Sequence, residues 1–243
     1  MKSVSLIDGR GLKTPRVVEI IGPAGAGKTT LCQALNHYPK QIRLYDFPDV
    51  RKIVYAPFFV WYGVSLVPTL MRLYQRKSRQ LTRREFAWLT ILNGWPSVLL
   101  NEVKNCNQVI ILDQGPIYLL AEMREFGPGY LKSQEAEKLW QNLYCRWANT
   151  LDLIIWLDTT DENLVDRIRG RAQDHVMKDE PPATVSEFLV CYRRMYDLVL
   201  STLMANTFGL RVLRFDTGKQ PTDEIVNHLL IEFGHDDKSH DWK

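Results

Sequence analysis

The 243-residue sequence contains only four cysteines, and they lie far apart, at Cys32, Cys106, Cys145 and Cys191. No Cys-x-x-Cys pair and no histidine at metal-ligand spacing occurs, which argues against a zinc site or a disulfide framework. The first residues carry no apolar run of the kind found in signal peptides. We therefore expect a protein of the reducing cytoplasm.

The sequence also lacks a strong charge imbalance, internal repeats and low-complexity tracts. Its formal net charge is +3, which is too small to predict nucleic acid binding. With 45% hydrophobic and 24% charged residues, the composition is that of a globular domain with enough apolar material for a core. No Asn-Lys-x-Asp string is present, which disfavours a signalling GTPase.

The most informative feature that is present is residues 22–29, Gly-Pro-Ala-Gly-Ala-Gly-Lys-Thr, which match the phosphate-binding P-loop pattern G-x-x-x-x-G-K-T. A β-branched run precedes the loop and a helix-compatible segment follows it, so its backbone N–H groups form an anion site at a helix N-terminus. The Lys28 ammonium would reach the β- and γ-phosphates of ATP, with GTP left open, and the Thr29 hydroxyl would ligate Mg²⁺. The predicted nucleotide contacts in the loop are Gly22, Ala24, Gly25, Ala26, Gly27, Lys28, Thr29 and Thr30.

Five short β-like runs alternate with long helical stretches. They cover residues 17–21, 42–45, 108–112, 153–157 and 211–215. This alternation predicts an α/β domain with a five-stranded parallel sheet between two helical layers. We place the domain at 16–233, between a flexible leader (1–15) and a flexible tail (234–243).

The gap between the second and third runs, residues 47–107, is unusually long and predicts a helical insertion on the acceptor side. It contains an aromatic, charge-free stretch (53–71) followed by a basic stretch (72–84). A membrane helix has this pattern, but three residues interrupt the apolar stretch: Pro57, Gly63 and Pro68. A kinked helix under a substrate pocket explains it at least as well, so membrane contact is disfavoured. The basic stretch fits either a solvated helix face or attraction of an anionic acceptor or phospholipid surface.

Two carboxylates stand where predicted strands end. Asp113 follows an apolar strand and is placed to hold Mg²⁺, through water, beside the strand that feeds the loop. Asp46 follows the second strand, where it could orient or deprotonate an attacking hydroxyl, and Asp49 competes for that role. Further along, Arg167 and Arg171 belong to a cluster of three arginines, which predicts an arginine-containing lid (164–184) that stabilises the migrating phosphoryl group.

Taken together, these motifs resemble the thymidylate kinase and deoxynucleoside kinase branch of the P-loop kinases. The resemblance runs in order over about residues 16–232 and is poorest at 50–107. It implies the donor and lid roles given above, and it implies that Asp216 and Thr217 lie where the donor base is held. Kinases of this branch are often dimers, so a homodimer is left open.

One departure concerns the acceptor. The branch usually has arginine after the strand-end acid, whereas this chain has Gln114, which puts monophosphate acceptors in doubt. The leading interpretation is an ATP-dependent phosphotransferase acting on a small molecule, a nucleoside or nucleoside monophosphate. A kinase of a sugar, antibiotic or other metabolite hydroxyl is the second interpretation. A nucleotide-binding regulatory or membrane-recruited protein with little catalysis is the third.

Overall fold

Five strands form one parallel sheet. The computed structural model describes residues 14–49, 52–74, 78–113, 115–171 and 175–234. The strands are β1 (Val17–Ile21), β2 (Ile42–Tyr45), β3 (Val109–Asp113), β4 (Leu153–Asp158) and β5 (Arg211–Asp216), in the spatial order β2-β3-β1-β4-β5. Every neighbouring pair is parallel, which confirms the predicted sheet.

Three strands continue one residue further than the sequence predicts, and each ends on an aspartate. Asp113 is in register with Ile20 of β1, and Asp158 is in register with Asp216. The strands extend because the parallel ladder persists to the carboxyl edge of the sheet. Polar side chains at this edge face the crevice where ligands of open α/β sheets bind.

Helices cover both faces of the sheet. Those in the described residues are α1 (Lys28–Leu35), α2 (Ala56–Leu73), α3 (Arg83–Asn105), α4 (Pro116–Phe126), α5 (Glu137–Ala148), α6 (Asp161–Arg169), α7 (Pro182–Ala205) and α8 (Thr222–Glu232). Alternate residues of β1 divide the core: Val17 and Ile21 pack with α2 to α5 and most of α7, and Val18 and Ile20 pack with α1, α6 and α8. The predicted three-layer arrangement is therefore confirmed.

The long segment between β2 and β3 is a helical hairpin. A short 3-10 helix (Ile53–Tyr55) leads into α2, and α3 returns beside it. The two helices are antiparallel, since Gly63 lies against Phe86 whereas Gly94 lies against Tyr62. The predicted helical insertion thus packs as a pair.

The apolar stretch forms one continuous helix, since α2 runs unbroken for 18 residues. Pro57 lies in its first turn, where a backbone N–H has no helical partner to lose. Gly63 is buried against α3, where a Cβ would come within 3.2 Å of the Phe86 ring. Pro68 removes one interior hydrogen bond, but its ring faces solvent.

Several predictions fall partly outside the described residues. Of the predicted leader only residues 14 and 15 are described, and of the predicted tail only Gly234. The predicted lid region consists of the end of α6, a connection whose residues 172–174 lie outside the described part, and the start of α7. Gln114 also lies outside it.

A carboxylate is buried within the sheet layer. Glu19, in the centre of β1, is fully buried, and its two oxygens accept the backbone N–H of Ile117 at 3.0 and 3.2 Å. The N–H groups of Gly115 and Tyr118 also donate to it. These N–H groups lie at the start of α4, where backbone N–H groups have no partner within the helix. Burial raises the pKa of Glu19 well above its ordinary value, and the N–H donors lower it in part.

The same carboxylate explains Gly115. A Cβ at this position would lie 2.6 Å from the Glu19 carboxyl carbon, so any larger residue collides with it. Glu19 therefore holds the start of α4 against the centre of β1.

We expect Gly115→Ala to lower the free energy of unfolding by about 1–3 kcal/mol, because the added methyl group overpacks the site. In a Glu19→Ala background the same change should cost much less, since the collision partner is gone. Urea unfolding of the four proteins in a double-mutant cycle measures this coupling. Gly209→Ala, where a Cβ has a single neighbour at 3.9 Å, is the matched control and should be near neutral. Additive effects of the two changes would show that Glu19 does not dictate Gly115.

Candidate functional site

The P-loop connects β1 to α1 at the carboxyl edge of the sheet. Gly25 and Gly27 adopt φ values of 84° and 92°, a left-handed region that favours glycine. Gly27 is the N-cap of α1, so the loop curls around the first N–H groups of that helix. Those groups have no partner within the helix and carry its positive dipole end. The geometry is that of an anion site.

Lys28 begins α1 and its ammonium group folds back over the loop. Nζ donates to the carbonyl oxygen of Gly22 at 2.7 Å and to that of Pro23 at 2.9 Å. Burial lowers the pKa of Lys28 to about 8, Asp113 opposes that shift, and Arg171 adds to it. The fold is that of a P-loop NTPase.

Two carboxylates lie near this lysine. Asp113 ends β3 beside β1, and the Cys32 thiol donates a hydrogen bond to it. Burial raises the pKa of Asp113, Lys28 lowers it, and Asp46 raises it again. Asp46, one residue beyond β2, is thus close enough to Asp113 for the two charges to interact. The structure thus brings together Lys28, Asp46 and Asp113, which the sequence predicted separately.

Thr29 is exposed in the first turn of α1. In the described part of the chain, no group of three His, Cys, Asp or Glu residues could hold a metal ion by itself. A Mg²⁺ ion here would need the phosphates of a nucleotide as ligands, as Mg²⁺ commonly does. One hydroxyl and one carboxylate at the loop, from Thr29 and Asp113, fit that mode of binding.

The two predicted lid arginines lie in different surroundings. The Arg167 guanidinium donates to Thr217 Oγ1 at 2.8 Å, to the Thr217 carbonyl at 3.0 Å and to the Gly25 carbonyl at 3.3 Å. It therefore ties the P-loop to the loop after β5. Arg171 lines the cleft and lowers the pKa of both Lys28 and His175, so its charge lies near both of these residues.

A cleft of about 570 Å³ extends from the P-loop. On the predicted donor-base side it is lined by Thr30, Thr217, Thr222 and Ile225. Asp216, predicted beside Thr217, has its carboxylate turned to the Gly218 N–H at 3.0 Å and to Lys219 at 2.9 Å. Thr217 therefore faces the cleft, whereas Asp216 shapes the turn that carries it.

An aromatic wall lines the other part of the cleft. Its members come from α4 and α7: Tyr118, Phe188, Tyr192 and Tyr196. The rings of Phe188 and Tyr192 are 4.5 Å apart between centroids, and the Tyr192 hydroxyl donates to the Glu122 carboxylate. Burial and Glu122 raise the pKa of Tyr192, so its hydroxyl stays protonated and remains a donor.

Sequence reasoning did not identify this wall and looked for aromatic contacts in the 53–71 stretch instead. There, Phe58 and Tyr62 pack against α3 at Gly94, and Trp61 is 75% exposed to solvent. The available signal was the spacing of Phe188, Tyr192 and Tyr196, which places three aromatic rings on one helix face.

Arg193 holds the wall in place. Its guanidinium donates to both carboxylate oxygens of Asp158, at 2.8 and 3.0 Å, and to Asp161 at 2.6 Å. A bidentate contact of this kind is the strongest geometry available to arginine and carboxylate. It fixes α7, which carries the aromatic rings, to the carboxyl end of β4.

Comparison with known proteins gives the following result. No protein-family model and no curated protein matches the chain. A solved structure of deoxyadenosine kinase from M. mycoides with bound dATP is similar over 89% of this chain and 98% of that chain, with 15% identity and a TM-score of 0.48. The same kinase with the products dCMP and a flexible dCDP is similar over 90% and 98%, with 16% identity and a TM-score of 0.46. Both are deoxynucleoside kinases, the branch that the motifs resemble, but at such low identity and TM-score the similarity assigns no substrate to this chain.

We expect nucleotide affinity to depend on the protonation of Lys28. Because its pKa is about 8 without ligand, the ammonium form that attracts phosphate is depleted as the pH rises above that value. Affinity should be nearly constant below about pH 8 and fall by up to about tenfold per pH unit above it. Titration calorimetry from about pH 7 to about pH 10 measures this effect. Lys28→Arg, which stays charged throughout, should show a flat profile, and an equally flat wild-type profile would contradict the assignment.

Proposed function

We propose that this protein is an ATP-dependent phosphotransferase of the cytoplasm that moves the γ-phosphoryl group to a small-molecule acceptor. A nucleoside or nucleoside monophosphate is the favoured acceptor class. The observation that carries the proposal is the grouping of Lys28, Asp113 and Asp46 at one edge of the sheet, beside a cleft that continues to an aromatic wall.

Bound ATP with Mg²⁺ supplies the phosphoryl group and neutralises part of its charge. The P-loop N–H groups and Lys28 hold the phosphates, while Thr29 and Asp113 are the residues that fit the metal. Arg171 adds a second positive charge near the same end of the cleft. Phosphoryl transfer depends on such positioned charges more than on covalent chemistry by the protein.

Asp46 is the proposed partner of the acceptor hydroxyl. A carboxylate in this role must lie near the phosphates without ligating them, so that it can orient the hydroxyl or accept its proton. The interaction between Asp46 and Asp113 across the end of the sheet supports this role. Its neighbour Asp49 stands three residues further along the chain and serves as a matched comparison.

The aromatic wall supports the proposed acceptor class. Flat rings such as Phe188 and Tyr192, whose centroids lie 4.5 Å apart, favour a ligand with a planar ring. A nucleobase has a planar face and polar edges, and its sugar carries the hydroxyl. Sugars and aminoglycosides lack the planar ring and are less well matched to this wall.

The test is ADP release by the purified protein with Mg²⁺ and ATP, screened against nucleosides, nucleoside monophosphates, sugars and aminoglycosides. We expect turnover with one of the two nucleoside classes and a loss on the order of 10³-fold or more in Lys28→Ala. Asp46→Asn should lower kcat while ATP affinity is retained, and Asp49→Asn should leave kcat near the wild-type value.

Retained turnover in a folded Lys28→Ala protein would contradict the mechanism. ATP binding without ADP formation against every acceptor would favour a nucleotide-binding regulator instead. If Asp49→Asn rather than Asp46→Asn lowers kcat, the roles of the two carboxylates are exchanged.

The two arginines allow a separate prediction. Arg171→Gln should lower kcat by about 10²-fold, because it removes a charge near the phosphates, with little change in Tm. Arg167→Gln removes three hydrogen bonds between the P-loop and the loop after β5, so it should lower Tm by several degrees and weaken ATP binding. Thermal melts and steady-state kinetics of both variants measure the contrast. Equal effects on Tm would show that Arg167 is not a structural link.

A further inference from the structure

One face of α2 is apolar and open to solvent. We name this surface the α2 stripe; its residues are Ile53, Pro57, Val60, Trp61, Val64, Val67 and Met71. They recur at spacings of three and four, which places them on one side of a helix. Ile53 is 89% exposed, Trp61 75% and Met71 73%. Contiguous apolar patches of this kind on a protein surface usually mark an interaction site.

The other face of α2 is held by the protein. Leu66, Leu70 and Leu73 are buried in the core between α2 and its neighbours, and Gly63 packs closely on α3. Among the described residues, Ile53–Leu73 is long and apolar enough to cross a membrane by length and composition, and 17% of its most apolar window is buried. Because α3 occupies its inner face, the helix is positioned to lie against a surface rather than to span one.

Cations stand at both ends of the stripe. Residues 53–71 contain no charged side chain, and Lys52 and Arg72 stand at the two ends. Arg83 begins α3 at the end where α2 finishes, since the helices are antiparallel. Within the described part of the chain, none of these three cations has an ion-pair partner, whereas the nearby Glu85 is already bound by Arg79 at 2.6 Å.

We propose that the α2 stripe docks this protein on an anionic phospholipid surface. The apolar side chains enter the boundary between headgroups and acyl chains, where Trp is favoured. Lys52, Arg72 and Arg83 meet the lipid phosphates, each contributing to the attraction. A second copy of the chain is a poorer occupant. It would bring the same cations towards one another, and residues 53–71 contain no carboxylate to neutralise them.

The experiment is flotation of the full-length protein with vesicles of phosphatidylcholine that contain about one third phosphatidylglycerol. We expect binding that weakens with added salt, because the attraction between exposed charges and headgroups is screened, and little binding to pure phosphatidylcholine. Val64→Asp should reduce the bound fraction at least tenfold. Leu198→Asp is its matched control: Leu198 is 61% exposed and Val64 is 64% exposed, and both lie on helices. This control should bind like wild type.

A charge variant tests the proposed contact between the cations and the lipid phosphates. Arg72→Gln combined with Arg83→Gln should weaken vesicle binding by about 25-fold, since each cation contributes about fivefold at such a surface. Far-UV circular dichroism and ATP binding should be unchanged in all variants, which separates docking from folding and from the proposed kinase activity. Absence of wild-type binding to anionic vesicles overturns the proposal. So does a wild-type dimer in sedimentation analysis that Val64→Asp dissociates without any vesicle binding, because the stripe then belongs to a second copy.

Discussion

The rest of the structure depends on the position of β1 in the centre of a parallel sheet. As the central strand of a parallel sheet covered by helices on both faces, β1 is buried throughout, is apolar apart from Glu19 and lies between β3 and β4. All carboxyl ends then meet at one edge. The P-loop, the carboxylate of β3 and the loop after β5 converge there because of this one constraint, although 85 residues separate Lys28 from Asp113 and 104 separate Asp113 from Thr217 along the chain.

Burial shifts the pKa values of the charged groups at that edge of the sheet. Lys28 has a lowered pKa and Asp113 a raised one, both because water is partly excluded around them. Each group also stabilises the charged form of the other. A multiply charged phosphate chain introduced beside Lys28 would favour the ammonium form. The negative charge of the ligand would thus keep Lys28 protonated.

Much of this was predictable from the sequence, because the P-loop and the strand-end aspartates are local signals. Strand positions came within one residue, since buried parallel strands are continuous apolar runs. The contacts of Arg167 were not predictable, because the Gly25 and Thr217 groups that bind its guanidinium are fixed only by tertiary packing. Glu19 was also missed, because nothing local distinguishes a charged residue inside a strand from one at its edge. A kinked helix was expected for the 53–71 stretch, and α2 does continue through Pro68, where packing on α3 outweighs the cost of one lost hydrogen bond.

The hydrogen bonds made by Arg167 and Arg193 have a consequence for acceptor choice. They form a continuous link from Gly25 in the P-loop through Thr217 and Asp158 to α7, which carries the aromatic wall. The two ends of the cleft are therefore held at a set separation rather than adjusting to each ligand. In the proposed kinase reaction, selection among acceptors would then rest on length. A molecule whose hydroxyl stands too near to its ring, or too far from it, could stack on the wall or reach the phosphates of bound ATP but not do both.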